Sequence, residues 1–186
     1  RQGDIGRAVI KFQPEAKVTA LDFSSEMLEL AHQQQGENAH GLNYIRGDAM
    51  APPFPKEYFE AVTVGYGLRN VADLSACIKN ILSLLKPSGV LVCLDVGKVN
   101  IPVIAQLNRF YFFKIVPLIG KWLMPGQEMF DYLPHSSINY PDQKKLKKIL
   151  LEEGFQKVDV YDFVFGASTI HVCLLYTSPS PRDATL

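Results

Sequence analysis

The chain has 186 residues, of which 47% are hydrophobic and 20% are charged, as in a globular α/β protein with a single core. Its 19 acidic and 19 basic residues balance, which excludes the strongly basic surface that nucleic-acid binding requires. No uninterrupted apolar run reaches the roughly 20 residues that a membrane-spanning helix needs.

Helical and strand patterns alternate along the first half of the chain. They predict helices at 5–12, 25–34 and 73–85, and strands at 17–22, 43–46, 61–65 and 90–96. This alternation is typical of parallel strands joined by crossover helices. Asp73 is placed to cap the helix at 73–85, and Pro87 and Gly89 are expected to stop it.

Near the end of the chain, Asp142 is placed to cap a helix that Gly154 closes. Its apolar residues Leu146, Ile149 and Leu150 are expected to face the core. Strands near 155–165 and 167–175 are expected to form a final antiparallel pair.

The segment 101–133 is inserted between these two parts and is rich in aromatic and aliphatic residues. Lys114, Pro117 and Gly120 interrupt it, so we do not expect it to cross a bilayer. Two interpretations remain open. The segment is a helical pair packed at the edge of the sheet, or it is in addition an amphipathic lid that docks at a membrane surface.

Polar residues follow three of the predicted strands. Asp22 ends the strand at 17–22, Asp48 follows the strand at 43–46, and the strand at 61–65 leads into Gly65-Tyr66-Gly67-Leu68-Arg69-Asn70. Alone, each aspartate is more typical of a helix cap or a turn. Because open α/β sheets hold ligands beyond the carboxyl ends of their strands, the three together favour a shared nucleoside pocket, with Asp22 on the ribose hydroxyls and Asp48 on the adenine amino edge.

The most specific motif of the chain is Gly-Leu-Arg-Asn at 67–70, and further motifs lie at 22–28, 47–49, 53–55, 85–89, 140–143 and 153–155. Together these segments resemble the quinone-biosynthesis C-methyltransferases, enzymes that use S-adenosylmethionine to methylate demethylmenaquinol and, in some members, the ubiquinone precursor ring. The likeness runs from about residue 3 to residue 171.

This resemblance implies a Rossmann-like class I methyltransferase fold, with a mostly parallel sheet, a final antiparallel strand pair and an inserted apolar helical segment. It also implies S-adenosylmethionine as cofactor and a polyprenyl quinol as substrate. The residues then assigned to the cofactor are Gly3, Asp4, Asp22, Phe23, Met27, Asp48, Ala49 and Gly65. Those assigned to the substrate are Tyr66, Tyr111 and Tyr132.

Arg69 and Asn70 are the candidate catalytic residues. A ring carbon becomes nucleophilic when a quinol hydroxyl loses its proton, and a fixed guanidinium can stabilise the resulting phenolate. Arginine stays charged and is a poor proton acceptor, so the general base remains open. A water molecule is one candidate, and the others, for each of which a structural role is favoured, are Tyr111, Tyr132, Asp131 and His135.

Both ends of the chain depart from the family pattern. Family members carry a glycine-rich loop after their first strand, and only Gly3 and Asp4 resemble its end here. We therefore expect residues 1–175 to be a methyltransferase domain without its first strand and most of that loop, and the fragment alone to be inactive. Residues 176–186 are expected to be non-native sequence or a disordered tail.

The three cysteines and four histidines lack metal-binding spacing, so we expect no metal, and buried thiols indicate a reducing compartment. We expect a cytoplasmic protein, with peripheral contact at the inner face of the membrane if the lid interpretation holds. Methylation of the benzoquinol precursor, an oxidoreductase of the dinucleotide-binding type and a non-catalytic binding protein are the alternatives. The oligomeric state is open.

Overall fold

A computed structural model describes residues 3–34, 41–99, 101, 103, 105–106, 110–111, 115 and 139–176. The chain divides into two compact units, a first unit of residues 1–56 and a second unit of residues 57–186. The predicted helical pair at 101–133 and the predicted tail lie almost entirely outside the described residues.

The first unit contains two helix and strand pairs in alternation. The elements are α1 (Asp4–Phe12), β1 (Val18–Asp22), α2 (Ser25–Gln33) and β2 (Leu42–Arg46). The strands are parallel, with Val18 opposite Leu42 and Asp22 opposite Arg46, as the alternation predicts. Helix α1 approaches β2 closely, because a side chain at Gly6 would meet Leu42 Cδ1 at 2.9 Å.

The second unit holds a four-stranded mixed sheet in the order β3-β4-β6-β5. Strands β3 and β4 are parallel, whereas β6 runs antiparallel to both β4 and β5. The α/β class, the parallel pairs and the final antiparallel pair are therefore confirmed. The elements are β3 (Phe59–Gly65), α3 (Leu74–Leu84), β4 (Leu85–Val96), α4 (Gln143–Glu152), β5 (Lys157–Phe163) and β6 (Ser168–Leu174).

Helices α3 and α4 begin where their capping residues predict. The carboxylate of Asp73 accepts a hydrogen bond from Ala76 N, and that of Asp142 accepts one from Lys145 N. Each bond satisfies a backbone donor in the first turn that has no partner within the helix. Helix α4 turns Leu146 and Leu150 into the core, at 1% and 0% exposure, as the amphipathic pattern predicts.

The boundary between α3 and β4 differs from the prediction. Pro87 and Gly89 were expected to stop the helix, but the backbone is already extended at Leu85, which pairs with Phe59. The register then shifts, so that Ala61 pairs with Val90. The Pro87–Gly89 stretch is therefore part of an irregular strand entry, and β4 begins five residues earlier than the strand predicted at 90–96.

The core of the second unit includes all three cysteines, Cys77, Cys93 and Cys173, which are buried and free, as expected. Burial raises the pKa of the Cys173 thiol to about 12 and that of Cys93 well above its ordinary value. The thiols of Cys93 and Cys173 are therefore protonated, and all three cysteines pack in the core. Within the described residues, no helix is both long and apolar enough to cross a membrane.

Candidate functional site

The first unit brings Asp22 and Asp48 to one edge of its sheet. Asp22 ends β1, its carbonyl accepts a hydrogen bond of 3.0 Å from Gly47 N, and Asp48 follows directly. The backbones converge tightly here, since a side chain at Gly47 would meet Leu21 Cδ1 at 2.7 Å. Both carboxylates are therefore presented at the carboxyl ends of neighbouring parallel strands, where α/β sheets bind ligands.

Each of these aspartates also closes a local turn. Asp22 Oδ1 accepts a hydrogen bond of 2.9 Å from Ser24 N, and Asp48 Oδ1 accepts one of 2.8 Å from Met50 N. The turn role that each residue would have alone is thus present. Both residues are exposed. In the part of the chain that the structure describes, each turn uses only the Oδ1 atom of its aspartate, so the Oδ2 atom can accept a hydrogen bond from a ligand.

Apolar side chains are exposed beside Asp22. Phe23 is 70% exposed and Met27, in the first turn of α2, is 38% exposed. Ala49 is exposed next to Asp48. Two large exposed apolar side chains next to carboxylates with spare acceptors are what an adenine ring and a ribose require of a protein surface. The first unit thus fits the nucleoside half of the predicted cofactor.

Gly3 and Asp4 lie at the start of α1. Gly3 has a left-handed φ of 74°, and a side chain there would lie 3.1 Å from Tyr44 Oη, so glycine suits the position. Asp4 forms an ion pair of 2.6 Å with Arg7 one turn along the helix. This pair gives Asp4 a local structural role in addition to the predicted one.

In the second unit, β3 leads into a compact loop at residues 65–70. Gly65 is exposed, and Tyr66, which donates its N–H to Leu94 O at 2.7 Å, has a left-handed φ of 56°. This conformation is strained for a tyrosine, and such strain is concentrated at functional sites. The buried Leu68 anchors the short 3₁₀ turn that follows, and Asn70 Nδ2 donates to Tyr66 O at 3.3 Å.

Arg69 is not a surface cation. Its side chain is 8% exposed and donates from Nη1 to Asp95 Oδ1 at 2.8 Å, while its Cζ lies 5.3 Å from the centroid of the Tyr66 ring. The ring contact is within the range of a cation–π interaction. Carboxylate and ring together hold the guanidinium in a fixed position at the end of β3.

Two residues of this cluster, Asp95 and Tyr140, were not among the predicted site residues. Asp95 is 2% exposed at the end of β4, and Tyr140 is 5% exposed just before α4. Burial, and then the negative charge of Asp95, raise the pKa of Tyr140, so its hydroxyl stays protonated and can donate a hydrogen bond. Asp95 lies inside the strand predicted at 90–96, one residue before its end, so a search for carboxylates at strand ends would have found it only if widened by one residue.

The remaining predicted residues are less informative. Tyr111 is 48% exposed, whereas Tyr132 and the candidate bases Asp131 and His135 lie outside the described residues. Within the residues that the structure describes, no three His, Cys, Asp or Glu side chains come together as metal ligands would.

Comparison with known sequences identifies relatives along nearly the whole chain. The model of the ubiE/COQ5 methyltransferase family matches residues 2–174. The demethylmenaquinone methyltransferase of Leptospira interrogans is 48% identical over 159 residues, which are 83% of this chain and 64% of that protein. That of Staphylococcus haemolyticus is 35% identical over 156 residues, 84% of this chain and 65% of that protein. The chain thus spans just under two thirds of the length of these relatives.

Solved structures support the same fold. A methyltransferase of Thermotoga maritima that depends on S-adenosylmethionine superposes with a TM-score of 0.64 over 91% of this chain and 77% of its own, at 15% identity. Another from Aquifex aeolicus superposes with a TM-score of 0.64 over 92% of this chain and 75% of its own, at 13% identity. At these identities the likeness concerns the fold, which is the Rossmann-like methyltransferase fold that the sequence predicts.

Proposed function

Because the chain belongs to the ubiE/COQ5 methyltransferase family, we propose that it takes part in the transfer of a methyl group from S-adenosylmethionine to a ring carbon of a polyprenylated quinol, most closely demethylmenaquinol. The observation that carries the proposal is the fixed guanidinium of Arg69 in the loop at 65–70, held by Asp95 and Tyr66. A fixed cation is what a developing phenolate needs.

The first unit supplies the nucleoside contacts in this proposal. The unused oxygen of Asp22 accepts hydrogen bonds from the ribose hydroxyls, and Asp48, with the Ala49 backbone beside it, accepts from the adenine amino group. Phe23 and Met27 cover the adenine faces, since both are exposed apolar groups next to Asp22. The bound cofactor supplies the electrophilic methyl. The roles of Gly3, Asp4 and Gly65 in binding it stay predictions from the family resemblance.

The second unit acts on the acceptor ring. A quinol hydroxyl loses its proton to the base that stays unassigned, which places negative charge on the oxygen and pushes electron density into a ring carbon. That carbon attacks the methyl while the bond from the methyl to the sulfur breaks, and it then gives up its own hydrogen as a proton, which restores the aromatic ring. Arg69 stays charged at any working pH, so it stabilises this charge and does not remove the proton. Tyr66, at 44% exposure, offers its ring for stacking, and Asn70 holds the Tyr66 backbone while its position next to Arg69 suits a ring hydroxyl.

A cytoplasmic enzyme with peripheral membrane contact suits this substrate, because a polyprenyl tail partitions into lipid. Tyr111 and the apolar segment around it are the candidates for that contact. Sedimentation of the protein with anionic lipid vesicles tests the idea: binding that weakens when Tyr111 is replaced by aspartate supports it, and absence of the protein from the vesicle pellet contradicts it.

Quinone profiling tests the proposed reaction. The protein is expressed from its complete gene in a bacterium that lacks its own enzyme of this kind and accumulates both demethylated quinones. We expect menaquinone to reappear, and an Asp22→Ala variant, impaired in cofactor binding, to restore much less. Restoration of ubiquinone alone would favour the benzoquinol acceptor. Restoration of neither, from a folded protein that binds S-adenosylmethionine, would contradict the proposal.

A further inference from the structure

The ion pair between Arg69 and Asp95 is buried at both ends. The side chains are 8% and 2% exposed. They meet because β3 pairs with β4, and because the strands are parallel, with Gly65 opposite Leu94, the loop that follows β3 lies beside the end of β4. The loop after β3 therefore places the guanidinium next to the carboxylate of Asp95, one residue before the end of β4. Asp95 is further anchored by the backbone, since its Oδ1 also accepts a hydrogen bond of 2.8 Å from Val96 N.

The pairing is incomplete. An arginine and a carboxylate commonly form two parallel hydrogen bonds, whereas here one bond joins Nη1 to Oδ1. Arg69 Nε and Asp95 Oδ2 are buried without a partner in the described part of the chain, as are the hydroxyls of Tyr140 and of Thr169, which pairs with Asp95 across the sheet. Four buried polar atoms thus have spare hydrogen-bonding capacity around one ion pair.

Stability alone is a poor explanation for such a cluster. Removing two charges from water is costly, and a buried ion pair is often no more stabilising than well-packed apolar side chains of the same volume. Buried polar groups without partners add to that cost. A fixed orientation of the guanidinium is the property that an apolar replacement would not provide.

We propose that Asp95 is a positioning residue that acts through Arg69. Its backbone-anchored carboxylate holds the guanidinium in one orientation at the end of β3, so that no reorientation is needed when charge develops on the acceptor ring. It also balances the arginine charge before that step. Tyr140 is a neutral neighbour of this ion pair. Burial keeps its hydroxyl protonated, so the hydroxyl can donate a hydrogen bond without adding a charge. The inference rests on the proposed function and extends it to a residue outside the family motif.

The test uses Asp95→Asn in protein expressed from the complete gene, with Asp159→Asn as the matched control. The control makes the same substitution on the same sheet, but in an exposed ion pair, in which Asp159 Oδ2 lies 2.9 Å from Lys157 Nζ. We expect Asp95→Asn to lower the single-turnover rate of methylation by about ten- to a hundredfold, as when a catalytic group is misplaced by about 1 Å, with the affinity for S-adenosylmethionine within about twofold of the original. The control should change neither.

A double-mutant cycle separates positioning from general stabilisation. If Asp95 acts through Arg69, Asp95→Asn changes turnover by no more than about twofold in an Arg69→Ala background, where the cation that it positions is gone. Equal losses in both backgrounds, or a loss that follows only the unfolded fraction, would overturn the proposal. Should Asp95→Asn fail to fold, Asp95→Glu replaces it, because it keeps the charge but displaces the carboxylate, and the same loss is expected.

A second readout does not depend on activity. Nitrogen relaxation of the Arg69 Nε–H group reports the mobility of the guanidinium, and we expect a rigid signal in the original protein that becomes mobile in the Asp95 variant. If the protein proves unable to methylate quinols, only the proposed function fails, and this measurement still decides whether Asp95 positions Arg69. An equally rigid guanidinium in the variant would overturn the inference.

Discussion

The guanidinium of Arg69 lies 5.3 Å from the ring centroid of Tyr66, three residues earlier in the same loop. In this arrangement the backbone of Tyr66 adopts a φ of 56°, which few non-glycine residues do. The loop thus maintains an unfavourable backbone conformation while an aromatic face lies against a buried cation. This relationship makes Tyr66 a part of the arginine site as well as a candidate contact for the acceptor.

Removing the Tyr66 ring should weaken the site by a modest amount. A cation–π contact of this kind contributes about 0.5–2 kcal/mol. We expect Tyr66→Ala to lower turnover by about tenfold and Tyr66→Phe, which keeps the ring, to stay within about threefold of the original protein. Steady-state kinetics with the quinol as varied substrate checks this. A larger loss in the phenylalanine variant would show that the hydroxyl matters more than the ring.

Asp22 should be needed for cofactor affinity. Losing a hydrogen bond to a charged group costs about 1.5–3 kcal/mol, or roughly ten- to a hundredfold in affinity. We expect that loss for Asp22→Ala in calorimetric titration with S-adenosylmethionine. Asp22→Asn is the informative partner, because the amide keeps the turn bond from Ser24 N but removes the charge. If the asparagine variant binds as well as the original, the carboxylate serves the turn alone.

Arg69 should act on the ring and leave cofactor binding nearly unchanged. We expect Arg69→Ala to cut turnover by about a hundred- to a thousandfold, the scale for loss of a preorganised donor to a developing oxyanion. Because the alanine also leaves Asp95 buried without its partner, at a cost of about 3–5 kcal/mol in folding free energy, thermal unfolding must be measured alongside. Arg69→Lys keeps the charge and should recover part of the rate. Loss of cofactor binding instead of turnover would contradict the assignment.

His171 should make stability depend on pH. It is 1% exposed in β6, and its Nε2 lies 3.0 Å from Gln143 O. Burial lowers its pKa below the ordinary 6.5, and the hydrogen bond to Gln143 and the charge of Asp162 only partly oppose this. Its contribution to stability is therefore present above about pH 6.5 and is lost as pH falls through the lowered folded pKa. Urea unfolding at neutral and mildly acidic pH should show a steeper acid loss than in His171→Asn. Parallel losses in the two proteins would contradict it.

The regular elements follow from local patterns and were largely predictable. The caps Asp73 and Asp142 and the apolar face of α4 set element positions without knowledge of the fold. Local patterns could not predict which side chains meet at the candidate site, because those contacts join residues that are distant in sequence. Asp95 lies within a predicted strand, but its partner Arg69 is 26 positions away and meets it only through the pairing of β3 with β4.

Backbone conformations without a glycine signal were also missed. Val164 and Phe165 have φ values of 50° and 56° in the turn between β5 and β6, where sequence patterns favour glycine or asparagine. The strand predicted at 155–165 therefore extends past the observed end of β5 at Phe163. Tyr66 at the candidate site was missed for the same reason, because a tyrosine gives no indication in the sequence of a left-handed backbone conformation.

The position of the transferred methyl tests the central claim most directly. Protein expressed from the complete gene is given demethylmenaquinol and S-adenosylmethionine with a deuterated methyl group, and the product is analysed by mass spectrometry and NMR after one turnover. We predict a quinol that carries the deuterated methyl on a ring carbon, formed much more slowly by the Arg69→Lys variant. A methyl group on the quinol oxygen, or unmethylated quinol after incubation with folded, cofactor-bound protein, would contradict the account.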